Sequence, residues 1–109
     1  MPSPSALKVG NRSPVVLVGI VTRNRANILP KAIRSAFSQV CPNVEVAVLD
    51  DGSDDGTSAL QSDFPAVKWL KWESSRGYLE GRNHLMRTAN ADYYLSLDDD
   101  AWFLEGAYD

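Results

Sequence analysis

Apolar and polar residues follow one another along the chain in blocks that predict a repeated strand–helix order. Continuous runs of β-branched apolar residues are typical of strands that are covered on both faces, as in a parallel sheet. Such a run occurs at Val15–Val21, and Val44–Leu49 predicts a second strand. Val67–Trp72 alternates in polarity, so we expect a strand with one more exposed face, and Tyr93–Leu97 predicts a fourth strand.

Capping residues and helical periodicity predict the segments that connect these strands. Asn27 is suited to cap a first helix with Pro30 in its first turn, and Pro42 ends it. A short helix is expected over Thr57–Asp63 and a third helix over Gly77–Ala89. The side chains expected to face inward are Leu29, Ile33, Ala36, Phe37 and Val40 in the first helix, and Leu79, Leu85 and Met86 in the third. This order predicts an α/β three-layer sandwich with a mainly parallel sheet of about four strands.

The two ends of the chain differ from its middle. Residues 1–13 are rich in Pro and Ser and lack an apolar core segment, so we expect a flexible tail followed by a folded domain over residues 14–109. The last segment carries more apolar surface than a free terminus usually does, in Trp102, Phe103, Leu104 and Tyr108. We therefore expect a domain that is truncated at its C-terminus and self-associates through this surface.

Composition narrows the class of protein. The length of 109 residues is that of one domain, and a net charge of −3 without a Lys/Arg stripe argues against nucleic-acid binding. Cys41 is the single cysteine, which excludes an internal disulfide and favours a reducing compartment. We expect a cytoplasmic protein, with the cytoplasmic face of a membrane as the alternative for a full-length form.

Seven of the 14 acidic residues lie in two groups directly after predicted strands. They are Asp50, Asp51, Asp54 and Asp55 in the first group, and Asp98, Asp99 and Asp100 in the second. The carboxyl ends of parallel strands share one edge of the sheet, where ligands bind. So much like charge needs a cation or Arg and Lys side chains to offset it. Carboxylates suit magnesium, manganese or calcium, so the pattern predicts a divalent metal and a ligand that carries phosphate.

The acidic groups also have a structural interpretation. Asp54 or Asp55 is suited to cap the short helix, and the first group as a whole is common in turns. Arg23, Arg25 and Arg82 are then the cations that neutralise the acidic edge. The second group is harder to explain in this way, because three consecutive aspartates are not required for a turn.

Four motifs, in order and spacing, resemble those of family 2 glycosyltransferases with the A-type fold. They are Thr22–Arg25, the Asp-Asp-Gly-Ser-x-Asp-Gly-Thr of Asp50–Thr57, the Gly-x-x-x-Gly-Arg-Asn of Gly77–Asn83, and Leu97–Asp100. The resemblance extends from Val15 to Phe103. It implies a Rossmann-like half of an A-type glycosyltransferase domain that binds a nucleoside-diphosphate sugar.

The resemblance implies which residues hold the nucleoside of that donor. Thr22, Arg23 and Asn24 are expected to contact the base and ribose. Asp51 is expected to accept a hydrogen bond from the base N–H, with Asp50 beside it. Position 23 departs from the family pattern, since many members carry an aromatic residue there. A planar guanidinium also stacks on a base.

The resemblance likewise implies which residues hold the phosphates. Arg82 is expected beside the base and phosphate, and Asn83 is expected to hold the loop. Asp98 and Asp100 match the Asp-x-Asp pair, Asp98 beside the ribose and Asp100 on a Mn²⁺ or Mg²⁺ ion that bridges the diphosphate. We assign Asp98 and Asp100 as the metal ligands and place Asp99 in the donor site with them.

The implied activity is transfer of a sugar, with inversion, to a hydroxyl of a saccharide, lipid or protein. UDP is favoured as the nucleotide by family frequency, and dTDP and GDP stay open. The general base that an inverting transfer requires comes, in this family, from the half that follows the Asp-x-Asp, so we expect donor binding without transfer by this chain alone. The alternatives are a folded nucleotide-binding fragment without activity and a nucleotidyltransferase, although Thr22–Arg25 lacks the glycines of a phosphate loop. A receiver-like domain would instead need an acidic pair after the first strand.

Overall fold

A parallel sheet with one helix on each face makes up the structure. The computed structural model describes residues 14–38 and 43–101. The strands are β1 (Val16–Thr22), β2 (Val44–Asp51), β3 (Lys68–Trp72) and β4 (Tyr93–Ser96). The helices are α1 (Leu29–Phe37), a short 3₁₀ helix (Thr57–Ser62) and α2 (Tyr78–Thr88). Every predicted strand is present, and the main difference is that β2 continues through Asp50 and Asp51.

The strand order is β3-β2-β1-β4, and all neighbouring strands are parallel. The chain leaves β1 towards β2 and β3 on one side, and it enters β4 on the other side of β1. In an open α/β sheet such a reversal of strand order opens a crevice at the carboxyl ends of the strands. The predicted α/β sandwich is confirmed, and its topology places that crevice between β1 and β4.

The face of the sheet that contacts α1 holds the larger core. Its side chains come alternately from β1 and β2 and, at helical spacing, from α1: Val18, Ile20, Val46, Val48, Leu29, Ala32, Ile33 and Ala36, all fully buried. Phe37 was expected to face inward, but it is 39% exposed because it lies at the margin of this helical stripe.

The opposite face of the sheet packs against Gly81 and Leu85 of α2. Leu85 is buried with Leu17, Val21 and Leu49, and a Cβ added to Gly81 would lie 3.0 Å from a methyl group of Val21. The absence of a side chain at Gly81 therefore lets α2 approach β1 closely.

The predicted inward face of α2 was wrong at two positions. Leu79 is 69% exposed and Met86 is 48% exposed. Both lie on the side of α2 opposite to Gly81 and Leu85, the two residues that are buried against the sheet.

The N-terminal tail over residues 1–13, Val40, Cys41 and the apolar segment from Trp102 to Tyr108 lie outside the described residues. Their predicted properties, including self-association, stay predictions. Within the part of the chain that the structure describes, no helix has the length and apolar character needed to cross a bilayer.

Candidate functional site

An open cleft of about 510 Å³ lies at the carboxyl ends of β1, β2 and β4, where the strand order reverses. Six of the residues that line it were predicted from sequence: Thr22, Arg23, Asp51, Asp98, Asp99 and Asp100. The two acidic groups, which are far apart in sequence, therefore contribute to one edge, as a parallel sheet requires.

Asp51, the last residue of β2, fastens the loop before α2 to the sheet. One carboxylate oxygen accepts the N–H of Arg76 at 2.7 Å, and the other accepts the hydroxyl of Ser75 at 2.8 Å and the N–H of Gly77 at 3.0 Å. Burial raises the pKa of Asp51, but these bonds and the charge of Arg23 outweigh it, so the pKa lies below its usual value. The side chain is 3% exposed and its position is fixed by the fold.

Asn24 joins the loop after β1 to the loop after β2, and Asp50 makes a contact within the second of these loops. The N–H of Asn24 donates to the Ser53 hydroxyl at 2.8 Å, and its amide oxygen accepts the N–H of Asp54 at 2.8 Å. Asp50 is buried and accepts the N–H of Ser53 at 3.0 Å. Arg82 is exposed on α2. None of these three predicted ligand-binding residues is among the described residues that line the cleft, and their roles stay predictions.

Asp55 extends the same connection between loops. One oxygen accepts the N–H of Ala26 at 3.1 Å, and the other accepts the N–H and hydroxyl of Thr57. The Thr57 hydroxyl is the main cause of the lowered pKa of Asp55. The predicted aspartate cap is corrected, since Gly56 occupies the N-cap and Asp55 acts from the residue before it. We call the bonds that join residues 24–26 to residues 53–55 the loop clamp.

The first two aspartates after β4 are each held by a hydroxyl group. The Tyr78 hydroxyl donates to Asp98 at 3.0 Å, and the Thr22 hydroxyl donates to Asp99 at 2.9 Å. Burial, followed by this bond to the Asp98 carboxylate, raises the pKa of Tyr78. Burial also raises the pKa of Asp99, which the Thr22 bond and the charge of Arg25 only partly offset.

The third aspartate is paired with an arginine from the loop after β1. Nη1 of Arg25 lies 3.4 Å from Asp100, and its Nε lies 3.6 Å from Asp99. The interpretation of Arg25 as a cation that neutralises the acidic edge agrees with these contacts. Ser75 and Tyr78 also line the cleft, and sequence reasoning assigned neither of them a role. The signal in the sequence that could have indicated these two residues is that both lie within two residues of Gly77, the first residue of the third motif.

The donor atoms at this edge fit a hard divalent cation. Among the described residues, no three His, Cys, Asp or Glu side chains are grouped as a preformed metal site. Magnesium, and by similar chemistry manganese, usually takes one or two carboxylates and completes its coordination with water and substrate phosphates. The exposed carboxylates of Asp98 and Asp100 are suited to such a site.

Comparison with known families settles the classification. The family model described as Glycosyl transferase family 2 matches residues 17–108, most of the chain. The chain belongs to glycosyltransferase family 2. The resemblance seen in the four sequence motifs is thereby confirmed at the level of the family.

Several bacterial proteins are similar in sequence. An uncharacterized glycosyltransferase of Haemophilus influenzae is 35% identical over 81 residues, which cover 74% of this chain and 28% of that protein. The GalNAc(5)-diNAcBac-PP-undecaprenol beta-1,3-glucosyltransferase of Campylobacter jejuni is 33% identical over 99 residues, which cover 86% of this chain and 32% of that protein. The chain thus spans about a third of the length of these relatives.

Solved structures show the same fold. The mannosyltransferase PcManGT from Pyrobaculum calidifontis, in complex with GDP-Man and Mn²⁺, superposes with a TM-score of 0.80 at 24% identity, covering 97% of this chain and 31% of that one. S. aureus TarS 1-349, in complex with UDP-GlcNAc, gives a TM-score of 0.76 at 23% identity, covering 84% and 28%. The described residues therefore adopt part of the A-type glycosyltransferase fold.

Proposed function

We propose that this chain is the donor-binding part of a glycosyltransferase and that its cleft holds the nucleoside diphosphate of a nucleotide sugar. The observation that carries this proposal is the convergence of Arg23, Arg25 and the aspartates after β4 in one crevice at the reversal of strand order. The volume of about 510 Å³ is in the usual range for a small-molecule site. Two structural relatives were solved in complex with nucleotide sugars, which supports this class of ligand.

The nucleoside end of the ligand is assigned to Thr22, Arg23 and Asp51. A carboxylate has roughly four lone-pair positions, and three donors from the Ser75–Gly77 loop occupy Asp51. This leaves one position for the N–H of a base, as the resemblance implies for Asp51. The exposed guanidinium of Arg23 offers a planar surface for stacking. UDP is the favoured nucleotide, with GDP and dTDP as alternatives.

The diphosphate end is assigned to the aspartates after β4. Asp98 and Asp100 would hold a Mn²⁺ or Mg²⁺ ion, which acts as a Lewis acid on the negative charge of the leaving diphosphate when bound. Within this chain, the Tyr78 hydroxyl orients Asp98 and the Thr22 hydroxyl orients Asp99. These contacts hold the carboxylates in place before a ligand binds, which lowers the cost of organising the site.

We assign binding of the sugar acceptor to the full-length protein. We propose inverting transfer to the hydroxyl of a saccharide, lipid or protein, with the general base outside this chain. The name of the C. jejuni relative describes a glycan linked to undecaprenyl diphosphate, which supports a lipid-linked saccharide among these acceptor classes. The alternative is a nucleotide-binding chain without activity. Family membership favours glycosyl transfer over nucleotidyl transfer.

Substitution of one proposed metal ligand tests the site. Asp100→Asn should abolish the increase in UDP affinity that Mn²⁺ gives, as measured by calorimetric titration with the ion and with chelator. Asp63→Asn is the matched control, because Asp63 is an exposed aspartate beyond the 3₁₀ helix and outside the cleft-lining residues. Metal-dependent affinity that is equal in both variants would exclude Asp100 as a ligand.

A further inference from the structure

A guanidinium group contacts Asp100, one of the two proposed metal ligands, and the neighbouring carboxylate of Asp99. Arg25 lies 3.4 Å from Asp100 through Nη1 and 3.6 Å from Asp99 through Nε. Arg25 therefore supplies to this acidic edge the positive charge that like-charged carboxylates require. A divalent cation at Asp100 would compete with Arg25 for the same oxygen atoms.

The backbone around Arg25 is held firmly on both sides. The loop clamp fixes Asn24 through Ser53 and Asp54, and it fixes Ala26 through Asp55. The carbonyl oxygen of Arg25 accepts the N–H groups of residues 28 and 29, where α1 begins, at 3.1 and 3.0 Å. A change in the position of the guanidinium must therefore come from the side chain.

The side chain of Arg25 is held much less firmly than its backbone. It is 47% exposed, and the carboxylate of Asp100 is 58% exposed. The pair with Asp100 is thus exposed on both sides, and such pairs contribute little to stability. The pair with Asp99 involves a carboxylate that is 13% exposed, but at 3.6 Å it is long for an ion pair. The backbone of Arg25 is thus fixed, while its guanidinium group is able to exchange one anionic partner for another.

We propose that Arg25 is a donor-binding residue that exchanges its partner when the donor binds. In the free protein it pairs with Asp99 and Asp100. When the divalent ion and the nucleoside diphosphate bind, the ion repels the guanidinium, and Arg25 transfers to a phosphate oxygen, for which its planar fork of donors is suited. This proposal rests on the proposed function and adds a residue to which the family motifs assigned no ligand contact.

The exchange has a thermodynamic consequence. A metal ion that binds alone must displace Arg25 and leave it without a new anionic partner. A metal ion that binds with the diphosphate provides that partner. Arg25 therefore disfavours the metal alone and favours the metal with nucleotide, which makes the binding of the two ligands cooperative.

Arg23 provides a matched control for the affinity of Mn²⁺ alone. It lines the same cleft and is exposed, and its charge acts on Asp51 at the opposite side of the site. Among the described residues, no carboxylate is in ion-pair contact with Arg23. Its substitution removes the same charge from the cleft without breaking a pair with Asp99 or Asp100.

The test measures two affinities of the full chain, one for Mn²⁺ alone and one for nucleotide. Both are measured in wild type, Arg25→Gln, Arg25→Lys and Arg23→Gln. Free Mn²⁺ is followed by electron paramagnetic resonance without nucleotide. The nucleotide is UDP or GDP, whichever the wild type binds more tightly, titrated calorimetrically at saturating Mn²⁺.

Arg25→Gln should bind Mn²⁺ alone about fivefold more tightly, the equivalent of one exposed ion pair, and should bind the nucleotide on the order of tenfold more weakly. Arg25→Lys should lie between wild type and Arg25→Gln in both measurements, since it keeps the charge without the fork.

Several outcomes would overturn the proposal. These are an unchanged or weaker Mn²⁺ affinity in Arg25→Gln, an unchanged nucleotide affinity in that variant, and an equal gain in Mn²⁺ affinity in Arg23→Gln. Failure of the proposed function is distinguishable, because it appears in the wild-type protein as a lack of nucleotide binding. A wild-type protein that binds Mn²⁺ and nucleotide, with Arg25→Gln unchanged, would overturn only the role of Arg25.

Discussion

The carboxylate of Asp51 accepts a hydrogen bond from the backbone N–H of Gly77 at 3.0 Å, although the two residues are 26 positions apart in sequence. With the bonds from Ser75 and Arg76, this contact joins the last residue of β2 to the residue before α2. Tyr78, the first residue of α2, then reaches Asp98 across the cleft. Asp51 thus positions one wall of the proposed donor site.

We expect Asp51→Asn to destabilise the protein. The side-chain amide replaces one acceptor oxygen with a donor, so at least one N–H of the Ser75–Gly77 loop loses its partner. The expected loss in the free energy of unfolding is about 1–3 kcal/mol, measured by urea denaturation. Asp63→Asn, at an exposed position, should change it by less than about 0.5 kcal/mol. Equal effects in the two variants would contradict the anchoring role of Asp51.

Wild type and Asp51→Asn also give a prediction for the pH dependence of stability. Burial raises the pKa of Asp51, but the hydrogen bonds from the loop before α2 lower the pKa by more than burial raises it. The folded protein therefore favours the carboxylate. The resulting stability is complete above the unfolded pKa of about 3.9 and is lost as the pH falls through the lower folded pKa. The stability difference between wild type and Asp51→Asn should therefore be constant from about pH 7 to pH 5 and shrink below about pH 4. A difference that persists unchanged to about pH 2 would contradict this assignment.

The strands and the acidic edge were predictable because they depend on local patterns. Apolar, β-branched residues such as those of β1 and β2 are typical of strands covered on both faces, and these two strands form the centre of the sheet. Once the order of strands and helices was clear, the geometry of such a sheet brought Asp51 and Asp98 to one edge. The inward face of α1 followed from its regular spacing of Leu29, Ile33 and Ala36.

Features that depend on contacts between distant residues were not predictable. The orientation of α2 is set by the close approach of Gly81 to Val21, and a glycine gives no signal of which neighbour it approaches. The bonds of Asp51 come from a loop more than twenty residues later. The contact of Tyr78 was not predictable either, because its partner Asp98 lies on another element.

Two glycines in the second motif allow a matched comparison. Gly52 and Gly56 both have positive φ, of 75° and 91°. An added Cβ at Gly52 would lie 2.6 Å from the backbone nitrogen of Ser75, whereas at Gly56 it would meet nothing within 4 Å. Gly56→Ala should cost about 1–2 kcal/mol for its backbone conformation alone. Gly52→Ala should cost more in urea denaturation, because it also displaces the loop that Asp51 holds, and equal losses would contradict the contact.

We expect Tyr78→Phe to weaken binding without unfolding the protein. Loss of the hydroxyl leaves Asp98 free to rotate, so nucleotide affinity at saturating Mn²⁺ should fall by roughly three- to tenfold, the equivalent of a hydrogen bond to a charged group. Tyr93→Phe is the control, since Tyr93 is an exposed tyrosine of β4 outside the cleft-lining residues. Calorimetric affinities that agree among Tyr78→Phe, Tyr93→Phe and wild type would remove Tyr78 from the site.

In the proposed function, this chain holds a nucleoside diphosphate and a divalent ion together in the cleft between β1 and β4. Calorimetric titration of UDP into the wild-type chain, with Mn²⁺ and again with chelator, tests it most directly. We expect saturable binding of one UDP per chain with Mn²⁺ and a large loss of affinity with chelator. Absence of binding under both conditions, for UDP and equally for GDP and dTDP, would contradict it.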